Sequence, residues 1–126
     1  MSAGTSQTTQ RQTRATEALS EVSASLARVR VLAVQCEHGH HVAGVYRTDV
    51  GPVVQAASGR RSHGHRDRID TPHRGTTTRA AWTDILTPAT PVDDSVPAWC
   101  ECGPWTLSRS ALAEWIAAGE RRVVIS

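Results

Sequence analysis

The apolar positions near the start of the chain follow a helical period. Over residues 15–28 they recur at intervals of three and four, which predicts an amphipathic helix with one narrow apolar stripe. The stripe consists of Leu19, Val22, Leu26 and Val29. A stripe of this length either docks on the chain's own domain or forms the seam of a homodimer, and the pattern leaves both interpretations open.

Strand-like segments come next. Residues 29–35, 41–48 and 53–57 are rich in Val and other β-formers, and the turn-forming Asp-Val-Gly-Pro segment at 49–52 separates the last two. This arrangement predicts three antiparallel strands connected as a meander.

The C-terminal residues have the signals of a helix with defined ends. Ser108 is a good N-cap, and Leu107 and Leu112 have the spacing of a hydrophobic staple. Gly119 has the position of a residue that ends a helix. The apolar residues in 121–125 then predict a short final strand.

Two stretches lack such patterns. Residues 1–14 are polar and predict a disordered tail. Residues 58–98 are rich in Arg, His and Pro and predict a flexible insertion, in which residues 80–86 form one helical turn. We therefore expect one domain over residues 29–125, preceded by the tail and by the helix at 15–28. The fold class is α+β: a small antiparallel β-sheet with a C-terminal helix and strand, plus an N-terminal helix.

Composition adds a constraint on the core. The 126 residues include no Phe, four Trp and one Tyr, and 39% are hydrophobic. A small core with few aromatic residues usually needs a cross-link or a metal ion for stability. No apolar run approaches the ~20 residues of a membrane span, and the polar N-terminus predicts a cytoplasmic, reducing location. Three cysteines in that compartment favour metal binding or a reactive thiol over a disulfide framework.

A near-repeat supplies the candidate ligands. Cys-Glu-His-Gly at 36–39 matches Cys-Glu-Cys-Gly at 100–103 in three of four positions. In a tight turn of this kind backbone N–H groups face the sulfur, and Gly lets the chain turn without a Cβ clash. The two turns supply four ligands of the kind that tetrahedral zinc takes in closed structural sites. The predicted ligands are Cys36, His38, Cys100 and Cys102.

This pattern resembles the paired zinc knuckles of zinc-ribbon and rubredoxin-like proteins. The resemblance covers residues 31–46 and 99–105, and it implies a zinc-ribbon-like β-hairpin and one structural zinc held by those four ligands. The usual knuckle has two residues between its ligands, whereas each turn here has one. The 63 residues between Cys36 and Cys100 are also a long separation for a zinc ribbon.

Several alternatives to this site remain open. His40 or His41 can replace His38 as the ligand. A [2Fe–2S] cluster with three Cys and one His is a different cofactor for the same residues. Without a metal, the cysteines are small buried thiols beside a surface histidine. A disulfide between Cys100 and Cys102 would close a very short, strained loop.

Positive charge is concentrated in the first part of the insertion. Residues 58–79 contain six Arg and two Asp, within a chain of net charge +2. A flexible arginine arm suits phosphate contacts through counterion release, although the same composition also fits a solvated linker. The nucleic-acid candidates are Arg60, Arg61, Arg66, Arg68 and Arg74.

No standard catalytic pattern is found. The segment His63-Gly64-His65-Arg66-Asp67-Arg68 resembles the His-x-His-x-Asp-His motif of metallo-β-lactamase-like hydrolases, but Arg replaces the final His. The chain contains neither a phosphate-binding glycine loop nor a nucleophile elbow. We therefore assign no catalytic residue.

The sequence predicts a non-enzymatic binding or adaptor module with a structural zinc, which contacts nucleic acid or a nucleic-acid-bound protein. The nucleic-acid part rests on analogy with zinc ribbons in transcription and translation proteins. The alternative is a protein–protein assembly or accessory subunit. A small metalloenzyme is disfavoured by the filled ligand set, and an iron–sulfur protein is kept as a further alternative.

Overall fold

The fold is described from a computed structural model that covers residues 2–57 and 81–126. Within these residues, three α-helices and seven strands form an α+β fold with an N-terminal helix. In chain order they are α1 (Ser2–Glu21), a short 3-10 helix (Ser23–Ser25), α2 (Leu26–Val29), β1 (Arg30–Cys36), β2 (His41–Thr48), β3 (Gly51–Ala57), β4 (Ala81–Ile85), β5 (Ser95–Cys100), β6 (Gly103–Ser108), α3 (Arg109–Ala117) and β7 (Arg122–Ile125).

The strands form a five-stranded sheet and a separate hairpin. The five-stranded sheet has the order β4-β3-β2-β1-β7. Strands β1, β2 and β3 pair antiparallel, as the meander predicts. Strand β4 adds a further antiparallel pair beside β3, and β7 joins β1 in parallel. Strands β5 and β6 form the antiparallel hairpin. The sheet is therefore mixed. Its C-terminal strand β7 pairs with the edge of β1 that would otherwise be unpaired.

Both faces of the central strands are covered, which gives three layers. Successive side chains of a strand point to opposite faces. Accordingly, Val45 and Val54 join the cluster that contains the β5–β6 hairpin and α3, while Tyr46 and Val53 join the cluster that contains α1. This double coverage explains why five consecutive residues of β2 are buried.

The N-terminal helix packs on the sheet of its own chain. Leu19 is only 6% exposed, and the other three members of its stripe pack against the same cluster. A homodimer through this stripe would have to replace those contacts. A buried ion pair also fixes the helix: Arg11 donates two hydrogen bonds, of 2.7 and 2.9 Å, to the carboxylate of Asp84 in β4.

Three expectations about local structure need correction. Helix α1 begins at Ser2, so residues 2–14 are helical and not a disordered tail. The helix at 15–28 is interrupted: α1 ends at Glu21, and a 3-10 turn precedes α2. Within the expected insertion, residues 81–85 form strand β4 instead of a helical turn, and β5 begins at Ser95. Residues 58–80, the first part of that insertion, lie outside the described residues.

The C-terminal helix has the ends that its sequence predicts. The Ser108 side chain accepts a hydrogen bond from the backbone N–H of Ala111, as an N-cap does. Gly119 has a φ of +86°, and its N–H donates to the carbonyl of Ile116. Leu107 and Leu112 both lie in the main core cluster. These features place α3 between the hairpin and β7.

Candidate metal centre

Two turns form the candidate site. The first joins β1 to β2 and begins at Cys36, and the second joins β5 to β6 and contains Cys100 and Cys102. The hairpin packs against the face of the sheet that contains Cys36, so the two turns meet. The near-repeat of the sequence is therefore a pair of neighbouring turns in space.

Four ligand atoms converge there. Those of Cys36, His40, Cys100 and Cys102 all lie within 4.8 Å of one another. The Cys36 and Cys102 sulfurs are 4.0 Å apart, and His40 Nδ1 is 3.4 Å from the first and 3.6 Å from the second. Ligands of a tetrahedral zinc are separated by about 3.5–3.8 Å. Three Cys and one His at these distances can hold one metal ion.

Each turn directs a backbone N–H toward the sulfur that opens it. The N–H of His38 donates to Cys36 Sγ, and the N–H of Cys102 donates to Cys100 Sγ, both at 3.3 Å. The glycines that follow have positive φ values, +82° at Gly39 and +127° at Gly103. The near-repeat predicts these features, and both turns have them. Hydrogen bonds to sulfur favour the thiolate form that a metal requires.

The site lies at the border between core and surface. Cys36 is 2% exposed and Cys100 is fully buried, whereas Cys102 is exposed. The indole Nε1–H of Trp105 donates to Cys100 Sγ at 3.1 Å. The cysteines are thus not three buried thiols, and all three are free, without a Cys100–Cys102 disulfide.

The histidine of the four-residue group differs from the predicted one. His40, which the sequence left as an alternative, belongs to the group, and His38 does not. His38 still lies beside it, with Nδ1 3.4 Å from the Cys102 sulfur. His38 occupies the turn itself, whereas the backbone N–H of Cys36 bonds to the carbonyl of His40 and fixes that residue beside the sulfur.

The sequence also missed two groups that support the ligands. His40 Nε2 lies 3.4 Å from Glu101 Oε1. A ligating histidine commonly donates its other ring N–H to a carboxylate, which fixes the ring and its tautomer. Trp105 is the second such group. Nothing in the sequence marks either of them except their nearness to the Cys-Glu-Cys-Gly turn.

The pKa values of two thiols in the cluster shift in opposite directions. Burial alone would raise the pKa of the Cys36 thiol, but the backbone N–H groups around it and the neighbouring thiols lower it below its usual value. The pKa of Cys102 is raised to about 11, by desolvation and then by the adjacent sulfurs of Cys36 and Cys100. Neighbouring thiolates repel one another, and a bound cation would offset that repulsion.

Other predicted site residues fall outside this centre. Arg60, Arg61, Arg66, Arg68 and Arg74, and the His-x-His motif that begins at His63, lie outside the described residues. Among residues 2–57 and 81–126, no helix is long and apolar enough to cross a membrane.

Comparisons with known proteins found no relative of this chain. No family model, no curated protein and no solved structure matches this chain. The similarity to zinc knuckles therefore rests on the Cys and His pattern and on the geometry of the two turns.

Proposed function

We propose that the chain is a non-enzymatic module whose fold is stabilised by one structural zinc, and that it contacts nucleic acid. The observation that carries the zinc is the convergence of Cys36, His40, Cys100 and Cys102 within 4.8 Å. Thiolate and imidazole ligands in a compact four-atom set suit zinc. A [2Fe–2S] cluster divides its ligands between two irons, and a set this compact favours one ion instead.

The proposed role of the metal is structural because protein atoms fill all four positions. Catalytic zinc keeps one position open for water or substrate. The two turns also belong to different sheets, so an ion between them links the five-stranded sheet to the β5–β6 hairpin. That link would stabilise a small core built without Phe.

Metal analysis tests the site directly. We expect about one zinc per chain, as a four-ligand structural site requires, and its loss in Cys36→Ser and Cys100→Ser. Among the histidines, His40→Ala should lose zinc affinity, while His41→Ala serves as a neighbouring control. A chelator should unfold the domain, because metal binding and folding are coupled in such sites. A folded chain without metal would refute the proposal, and a visible absorption band would indicate iron–sulfur.

The nucleic-acid part is supported by the six arginines of residues 58–79 and by arginines exposed in the described part of the chain, such as Arg47 and Arg121, because arginine suits phosphate oxygens. Salt-dependent binding to a single-stranded or duplex oligonucleotide is expected. Replacement of Arg60, Arg61, Arg66 and Arg68 by Ala should weaken it if the arm takes part. Absence of binding at low salt would eliminate this part of the proposal.

Assembly with another protein is the second candidate. Val124 on edge strand β7 is 60% exposed, the one large hydrophobic residue so exposed among the described residues. An exposed edge strand is a template for pairing with another chain. A dimer in light scattering that becomes monomeric on Val124→Asp would favour this candidate, and a monomeric parent chain would exclude self-association.

A further inference from the structure

A second feature lies at the other end of the sheet from the metal centre. There β1 begins, β2 ends, and the turn after α3 leads into β7. These elements enclose a cleft with a volume of about 250 Å³. We call it the basic cleft; its charged residues are Arg28, Arg30, Arg47, Arg121 and Glu120.

The cleft concentrates positive charge without neutralising it. Four guanidinium groups face one carboxylate, a net charge of +3, whereas the whole chain has +2. All four arginines are exposed. In the part of the chain that the structure describes, no salt bridge includes any of them. Like charges that line one cleft repel one another, although solvent screens exposed groups, and a bound anion would relieve that repulsion.

The form of the cleft limits what anion fits. Its volume is below the roughly 300–1,000 Å³ of pockets that enclose small-molecule ligands, but it has room for phosphate groups. Val31 and Ile116 are the apolar residues that line it. Guanidinium forks match phosphate oxygens in pairs, so several arginines around a shallow cleft suit a phosphodiester chain that passes across the surface.

We infer that the basic cleft binds the phosphate backbone of a single-stranded nucleic acid. This inference rests on the proposed contact with nucleic acid, and it assigns that contact to a folded surface in addition to the arm around Arg60 and Arg74. Contacts to phosphates position a nucleic acid without reading its sequence, so the cleft binds oligonucleotides of different sequence alike.

The cleft and the metal centre can be tested independently. Strand β1 has seven residues, with Arg30 at the cleft and Cys36 at the metal centre. At about 3.3 Å per residue the two ends are about 20 Å apart. Variants of the exposed cleft side chains therefore leave the zinc ligands in place.

The experiment measures binding of a fluorescein-labelled single-stranded oligonucleotide to the zinc-loaded full chain by anisotropy, between about 50 and 200 mM salt. The test variant is Arg47→Gln with Arg121→Gln, which spares Arg30 because Arg30 contacts the Tyr46 hydroxyl. The matched control is Arg14→Gln, an exposed arginine on α1 outside the cleft. Circular dichroism and zinc content verify that each variant is folded.

We expect the double variant to bind about tenfold or more weakly at low salt. The slope of log K against log salt should fall in magnitude by about 1.4, since each phosphate contact on a single strand contributes about 0.7. The control should bind as the parent does, and Arg47→Lys with Arg121→Lys should restore most of the slope.

Two outcomes overturn the inference, and they can be told apart. If the double variant binds as the parent does while Gln at Arg60, Arg61, Arg66, Arg68 and Arg74 abolishes binding, the arm carries the contact. The proposed function then stands without the cleft. If the zinc-loaded parent does not bind at all, the nucleic-acid part of the proposed function fails together with the cleft, and the zinc site is unaffected.

Discussion

The ion pair between α1 and β4 gives a prediction whose size follows from the structure. Asp84 is fully buried, and Arg11 approaches its carboxylate with two nitrogens, Nε at 2.7 Å and Nη2 at 2.9 Å. The perturbation is Arg11→Gln. The matched control is Arg14→Gln, one helical turn further along α1, where the arginine is exposed.

The magnitude depends on what Asp84 keeps. Its carboxylate still accepts hydrogen bonds of 2.8 Å from Arg109 Nη2 and from the backbone N–H of Ile85. The buried carboxylate of Asp84 therefore keeps hydrogen-bond donors, and the loss of stability in Arg11→Gln stays below the roughly 3–5 kcal/mol of a broken buried pair. Hydrogen bonds to a charged group contribute about 1.5–3 kcal/mol. We expect Arg11→Gln to lower the free energy of unfolding by about 2 kcal/mol, and the control by less than about 0.5 kcal/mol.

Urea unfolding of the zinc-loaded chain measures both values. The midpoint should fall at an unchanged m-value, which indicates lower stability of the same folded state. A double-mutant cycle with Asp84→Asn should return a coupling energy of about 1 kcal/mol or more between the two side chains. Equal midpoints for Arg11→Gln and Arg14→Gln would refute the reasoning, because the bidentate contact would then contribute nothing.

Three further predictions concern the core and the metal centre. Burial alone would raise the pKa of Asp84, but its arginine and N–H partners lower it below the usual value. The stability that the ionised Asp84 contributes is therefore present above about pH 4 and lost as pH falls through the lowered pKa. In acid unfolding, Asp84→Asn should lose stability less steeply with falling pH than the parent, and parallel curves would contradict this. A Cβ on Gly44 would lie 2.7 Å from the Tyr46 hydroxyl oxygen, so Gly44→Ala should destabilise the chain by about 1–3 kcal/mol in urea unfolding. A Tyr46→Phe background should recover part of this loss. An unchanged stability of Gly44→Ala would show that the Tyr46 ring moves freely. Trp105→Phe removes the N–H···S contact to Cys100 and should weaken zinc binding about 10–100-fold in chelator competition, whereas unchanged affinity would mean that this contact does not support the ligand.

Local signals account for what the sequence predicted. The β1–β2 hairpin, the two glycine-ended turns and the ends of α3 all depend on residues within a few positions of one another. Gly39 and Gly103 have the positive φ that such turns need, and Ser108 caps the helix that it precedes. The candidate site could be predicted to the same extent, because three of the four residues that cluster there lie in those turns.

Long-range partners account for what the sequence did not predict. The first residues of α1 are polar, and it is Asp84, 73 residues away from Arg11, that ties them to the sheet. Residues 81–85 form a strand because β3 pairs with them, a partner that no local pattern specifies. His40 enters the metal centre instead of His38 through the backbone hydrogen bond that closes the first turn. The parallel pairing of β7 with β1 is equally non-local.

The separation of the two turns along the chain affects how far the segment between them can change in length. Cys36 and Cys100 lie 64 positions apart, so a metal ion that joined them would close a long loop of the chain as the site forms on folding. On the chain-entropy estimate, closing a loop of this size costs about 4 kcal/mol, which metal binding and packing must offset. That cost grows only with the logarithm of loop length, and about 20 extra residues would change it by about 0.2 kcal/mol. Insertions and deletions of that size between residues 58 and 80 should therefore change this loop-closure cost by only a few tenths of a kcal/mol, so the length of the connection by itself places little constraint on the candidate metal centre.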